Sequence, residues 1–169
     1  MEQIRKIFAP TDLSELSAAG VRYALNLAYA LGAEVTVYHV VDYDELIHYG
    51  QALTRETAAG GASESSADLL EGYKFALSRF LNTHFSDLIP WVKIRERVEL
   101  GTPARNIVER AAKEGSDLIV ISTHGRTGLA HMLMGSVTEK VMRNGPCPVL
   151  SIPPGREEKK EEEREPTAA

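Results

Sequence analysis

Three features of the 169-residue sequence predict an α/β fold, a doubly wound, five-stranded parallel sheet with helices on both faces. Short apolar runs of strand length alternate with segments of helical period. Helix starts and stops, marked by Ser, Thr, Pro and Gly, fall between those runs. Several runs are continuously apolar rather than alternating, as in strands covered on both faces. Strand–helix alternation of this kind gives parallel pairing with right-handed crossovers.

The elements follow in order. Ile4 to Ala9 is a short apolar run ending at Pro10 and reads as the first strand. Ser14 caps a helix running to about Leu31. Val21, Ala24, Leu25, Ala28 and Leu31 repeat at helical spacing, and Gly32 stops the helix. Glu34 to Val41 is rich in β-branched residues and reads as a buried second strand. Asp42 to Ser66 contains Thr57-Ala58-Ala59-Gly60-Gly61-Ala62-Ser63, the composition of a loop. A helix follows, with Leu69, Tyr73, Ala76, Leu77, Phe80 and Leu81 on one face.

Trp91 to Leu100 alternates, with Val92, Ile94 and Val98 apolar, and Glu96 breaks the pattern. A third strand with one less buried face is expected there. Thr102 and Pro103 mark a helix start, as N-cap and first helical residue. Ile107, Val108, Ala111 and Ala112 form its inward face, and Gly115 ends it. Asp117 to Ser122 is the fourth strand. Ser136 to Asn144 is a helix in which Ser136 and Glu139 have capping-box spacing, closed by Gly145-Pro146. Val149 to Ile152 is the last strand.

The net charge is −5 and the isoelectric point about 5.6, which disfavours a general nucleic-acid binder, since such a protein needs a basic face. No apolar run approaches the roughly 18 residues of a membrane span. The N-terminus leads straight into a strand without a signal-peptide pattern, so the cytoplasm is the expected compartment. A single cysteine, Cys147, excludes an internal disulfide and a cysteine-based metal cluster. Its other reading is a small apolar side chain between two prolines. Residues 156–165 hold six acidic and four basic side chains and nothing apolar. The expected organisation is one domain over 1–154 and a charged flexible tail over 155–169.

The fourth strand runs into Thr123-His124-Gly125-Arg126-Thr127-Gly128, and Gly135 then leads into the next helix. Glycines let backbone amides approach oxyanions, and a helix N-terminus adds unpaired N–H groups and a positive dipole end. In open parallel sheets ligands bind beyond the carboxyl ends of the strands, where the strand order reverses. Pro10-Thr11-Asp12, Val40-Val41-Asp42 and Thr123 to Ser136 converge on that end. No G-x-x-x-x-G-K-[ST] and no G-x-G-x-x-G after the first strand occurs, which excludes a Walker lysine and disfavours a dinucleotide fold. His39, His48, His84 and His131 lack metal-ligand spacing and read as structural or exposed.

From Lys6 to Ile152 the chain resembles a universal stress protein domain. Ile7-Phe8-Ala9-Pro10-Thr11-Asp12-Leu13-Ser14, His39-Val40-Val41, Glu99-Leu100-Gly101-Thr102-Pro103 and Asp117-Leu118-Ile119-Val120 carry the resemblance. So does the block from Thr123-His124-Gly125-Arg126-Thr127-Gly128-Leu129 through Gly135-Ser136-Val137 to Cys147-Pro148-Val149-Leu150. It implies a Rossmann-like, adenine nucleotide α-hydrolase-like sandwich that dimerises through its final strand, Val149 to Ile152. In the ATP-binding branch the motif is Gly, two residues, Gly, nine residues, then Gly and Ser or Thr. Gly125 and Gly135-Ser136 match, whereas the first glycine falls on Ser122. Serine does not take positive φ as cheaply as glycine. Ser122 therefore weakens binding if the backbone must pass close under the nucleotide, and is tolerated if only a small side chain is needed.

The resemblance implies the following roles. Asp12 hydrogen-bonds the nucleoside, its alternative role being to cap the first helix with Ser14. The backbone of Val40 meets the adenine edge, and Pro10 and Thr11 shape the pocket wall. Gly125 and Gly135 cradle phosphates or serve loop geometry. Ser136 and Thr138 offer hydroxyls and amides to the phosphates, with Ile121 and Val137 alongside. Arg126 offsets phosphate charge or forms a surface ion pair. His124 is a residue type common there, and no catalytic role is assigned to it. The implied cofactor is ATP, with Mg or Mn carried on its phosphates. Binding would order the loop from Thr123 to Met134 for an unknown protein partner to sense. The alternative is a protein-interaction dimer that binds no ATP. A slow ATPase would need a general base that the sequence does not place.

Overall fold

Ten short elements build one sheet and its cover in a computed structural model that describes residues 3–43, 66–124 and 134–153. In chain order they are β1 (Lys6–Pro10), α1 (Glu15–Leu31), β2 (Glu34–Asp42) and α2 (Ser66–Phe85), then a 3₁₀ turn (Ile89–Trp91). β3 (Lys93–Gly101), α3 (Pro103–Glu114), β4 (Leu118–Ser122), α4 (Ser136–Asn144) and β5 (Val149–Ile152) complete the series. The strands lie in the order β3-β2-β1-β4-β5, and every pairing is parallel. The predicted doubly wound α/β architecture is therefore present.

Each face of the sheet has its own core. Ile7, Ala9, Val35, Val37, Leu118 and Val120 pack against α1 (Val21, Ala24, Leu25, Ala28) and α2 (Leu77, Phe80, Leu81, Phe85). Phe8, Tyr38, Val40, Ile119 and Ile121 pack against Ile107 and Ala111 of α3 and Val141 of α4. Strands buried on both faces must be apolar at consecutive positions, which is why β1, β2 and β4 lack alternation. Burying a Val, Leu, Ile or Phe side chain contributes about 1.5–3 kcal/mol, so these two cores hold the helices to the sheet.

Local signals decide where the helices begin and end. The Ser14 hydroxyl accepts from the Ser17 amide at 3.2 Å and caps α1. Gly32 (φ 66°) and Gly115 (φ 62°) close α1 and α3 in the left-handed region that favours glycine. Three local expectations need correction. Trp91 lies in the 3₁₀ turn, which begins with Ile89-Pro90, and β3 starts at Lys93. Ala112 is exposed, because a twelve-residue helix seated on Ile107 and Ala111 turns it outward. Thr102 holds the N-cap position without capping by its side chain, and Asn106 Oδ1 instead accepts from the Thr102 amide at 3.0 Å.

The strand order reverses between β1 and β4. At the amino ends these strands are stitched tightly: the Asp117 carboxylate accepts from the Arg5 and Lys6 amides, each at 2.8 Å. Among the described residues β1 and β4 pair only at Ile7↔Leu118 and Phe8↔Ile119, whereas β1 stays paired to β2 as far as Pro10↔Tyr38. Beyond Ala9 the two strands part. The α1 crossover leaves to one side and α4 to the other, so a crevice opens at their carboxyl ends.

The expected loop over 42–66 falls mostly on residues 44–65, outside the described residues, and the expected charged tail over 155–169 lies outside them as well. Among the described residues no helix is long and apolar enough to cross a membrane.

Candidate functional site

The β1–β4 crevice holds a cavity of about 290 Å³, at the lower end of the roughly 300–1,000 Å³ usual for small-molecule sites. Eleven of the thirteen candidate residues line it: Pro10, Thr11, Asp12, Val40, Ile121, Ser122, His124, Gly135, Ser136, Val137 and Thr138. Gly125 and Arg126 lie outside the described residues. Ser17, Tyr38, His39, Asp42, Pro103 and Ile107 also line the cavity. Sequence reasoning placed Asp42 at the ligand end of the sheet without giving it a role, and did not place the other five there. Asp42 shares the inward face of β2 with Val40, two residues earlier, and that spacing was the signal available.

The two ends of the cavity differ chemically. Over β2 and α3 the wall is Tyr38, Val40, Pro103 and Ile107, with the Asp42 carboxyl at the strand end. The Tyr38 hydroxyl donates to Glu99 at 2.7 Å, and Arg110 grips the same carboxylate. Burial and the adjacent Glu99 push the Tyr38 phenol far above its usual range, so it remains a protonated donor. Apart from the Asp42 carboxyl, this end is lined by apolar and aromatic residues.

Over β4 the cavity meets the N-terminus of α4. Gly135 is the N-cap residue (φ −66°, ψ 149°), with no side chain to cap the helix. The expected capping box does not form. Ser136 is already inside the first turn, and Glu139 accepts from Arg143 at 3.0 Å instead. The first intrahelical bond runs from the Glu139 amide to the Gly135 carbonyl at 3.0 Å. The amides of Ser136, Val137 and Thr138 therefore have no carbonyl within α4 to bond, at the positive end of the helix dipole. Gly135 itself is fixed, its amide donating to the Thr123 carbonyl at 2.7 Å. That set of donors fits an oxyanion.

Between the two ends lies the β1–α1 turn. Asp12 Oδ1 accepts from the Ser14 amide at 3.1 Å and from the Ser14 hydroxyl at 2.6 Å. Asp12 thus braces Ser14, the N-cap residue of α1. The Thr11 side chain is buried, bonded to the Ser17 hydroxyl at 2.7 Å and to the Leu13 amide at 3.0 Å. Leu13 has φ 64° and is the single non-glycine positive-φ residue among those described. His39, 1% exposed, holds the Thr11 carbonyl through Nδ1 at 2.9 Å and stacks on Tyr73. His124 Nδ1 meets the Thr123 hydroxyl at 2.9 Å.

Ser122 is buried and lines the cavity. It ends β4 in extended backbone outside the positive-φ region, so no glycine-only conformation is demanded there. Its hydroxyl is turned into α1, accepting from the Gly20 amide at 2.9 Å and donating to the Ser17 carbonyl at 3.1 Å.

A profile of the universal stress protein family matches residues 3–153. The chain belongs to the universal stress protein family. Universal stress protein MJ0531 of Methanocaldococcus jannaschii is 34% identical over 148 residues, spanning 88% of this chain and 81% of its own. The solved structure of MJ0577 superposes with a TM-score of 0.65 at 27% identity, covering 92% of this chain and 99% of the other. A universal stress protein crystallised in complex with cAMP has the same fold, with a TM-score of 0.62, 21% identity and coverage of 91% and 100%.

Proposed function

We propose that this universal stress protein is an adenine-nucleotide-binding regulatory module that takes ATP at the β1–β4 crevice. The observation that carries the reading is the N-terminus of α4, without a side-chain cap, where Ser136, Val137 and Thr138 line a cavity whose opposite wall holds Tyr38, Val40, Pro103 and Ile107. A ligand with an anionic end and a flat aromatic end matches that polarity, and the base would lie over β2 with the phosphates over α4. The cAMP complex of a relative supports an adenine nucleotide. Asp12 meets the nucleoside and Val40 meets the adenine edge by its backbone, while Gly125 and Arg126 extend the phosphate cradle. Mg or Mn is carried by the phosphates. Binding serves signalling to a protein partner, and the chain pairs with a second copy through β5, an edge strand whose four residues are only half-buried.

The protein is purified without added nucleotide and denatured with acid, and the released small molecules are identified by mass spectrometry. Stoichiometric adenine nucleotide supports the reading. Protein that is empty and also fails to bind added ATP with Mg²⁺ in calorimetry overturns it.

A further inference from the structure

We propose that Ser122 is a positioning residue of the nucleotide site, and that replacing it by the motif glycine loosens the phosphate end of the site. The inference rests on the nucleotide reading above and goes beyond it in assigning Ser122 a role.

Ser122 is 5% exposed and stands where three elements meet. Its hydroxyl inserts into the first half of α1, accepting from the Gly20 amide and donating to the Ser17 carbonyl. Its own carbonyl accepts from the Thr138 hydroxyl at 2.8 Å. Thr138, also 5% exposed, belongs to the first turn of α4, whose residues Ser136 to Thr138 line the cavity. On the other side Ser17 donates to the Ser14 carbonyl at 2.8 Å and receives the Thr11 hydroxyl. One buried chain of hydrogen bonds thus runs from the β1–α1 turn through α1 and Ser122 to the start of α4. Glycine at position 122 keeps the carbonyl and removes the hydroxyl. The Gly20 amide loses a buried acceptor, and the strand end gains backbone freedom under α4. Because the chain ends at α4, the loss falls on phosphate contacts and spares the base.

The test is calorimetric titration of wild type, Ser122→Gly, Ser122→Ala and Thr138→Val with ATP and with adenosine, below each variant's melting temperature. The expected result is an ATP affinity reduced about tenfold in all three variants, with adenosine affinity changed by less than about threefold. Thr138→Ser, which keeps the hydroxyl, restores most of the loss. A Ser122→Gly protein that binds ATP as tightly as wild type or tighter overturns the proposal, as does an equal loss for ATP and adenosine. Wild type that binds neither compound overturns the nucleotide reading and this proposal with it. If Ser122→Gly does not fold, Ser122→Ala decides, since it removes the same hydroxyl without adding the backbone freedom of glycine.

Discussion

Gly20 leaves no room for a methyl group. An ideal Cβ there would stand 2.7 Å from Ser122 Oγ and 2.8 Å from the Ser122 backbone nitrogen. α1 therefore lies against β4 at backbone distance, and a glycine in mid-helix is the condition for that approach. Alanine would gain about 1 kcal/mol of helix propensity, but overpacking against a backbone atom costs up to about 3 kcal/mol. Gly20→Ala is expected to lower stability by about 1–2 kcal/mol net, read as a reduced urea midpoint at unchanged slope. A midpoint equal to wild type would mean that α1 can shift away from β4 without loss. Gly135 presents a milder case: a Cβ there would meet the Thr123 carbonyl at 3.3 Å, and its φ of −66° suits any residue. What Gly135 supplies is the absence of a capping side chain.

At the scale of the element, α4 begins without a side-chain cap. A serine or aspartate at its N-cap would satisfy one of the first amides internally, and glycine leaves them for a ligand. Proline at the first helical position keeps the helix and deletes one amide. Gly135 already has the extended ψ of 149° that a following proline demands. Ser136→Pro is therefore expected to hold or raise the melting temperature while ATP affinity falls about tenfold, the value of one charge-assisted hydrogen bond. Ser136→Ala is the control that removes the hydroxyl alone. Equal ATP affinity in Ser136→Pro and Ser136→Ala would remove the 136 amide from the phosphate site.

Across the whole molecule, one strand pair is stitched at its foot and open at its head. The Asp117 carboxylate bonds the Arg5 and Lys6 amides, and these bonds hold its pKa below the usual carboxylate range. A lowered folded pKa contributes stability that is present above the unfolded value, about 3.9, and lost as pH falls through the folded value. Wild type should exceed Asp117→Asn in urea midpoint by a constant margin from pH 5 to 8, and that margin should shrink below about pH 4. A margin independent of pH down to 2 would assign the effect to geometry and not to charge. The same stitch lets β1 and β4 diverge beyond Phe8 and Ile119 without separating the sheet, and the divergence creates the crevice.

The sequence by itself determined the layered architecture, because burial on both faces requires consecutive apolar residues and the chain displays them in β1, β2 and β4. It also placed most of the residues that line the cavity, since the crevice of such a sheet lies at the carboxyl ends of particular strands, and Pro10 to Asp12, Val40 and Gly135 to Thr138 mark those ends. Only the tertiary structure decided what Ser122 does. A motif position records a residue type, whereas the direction of a hydroxyl depends on which helix packs beside the strand, and here that helix is α1 with Gly20 against it. Tyr38, Pro103 and Ile107 join the site for the same reason: α3 is brought over β2 by packing across more than 60 residues of chain, a distance at which local spacing carries no information.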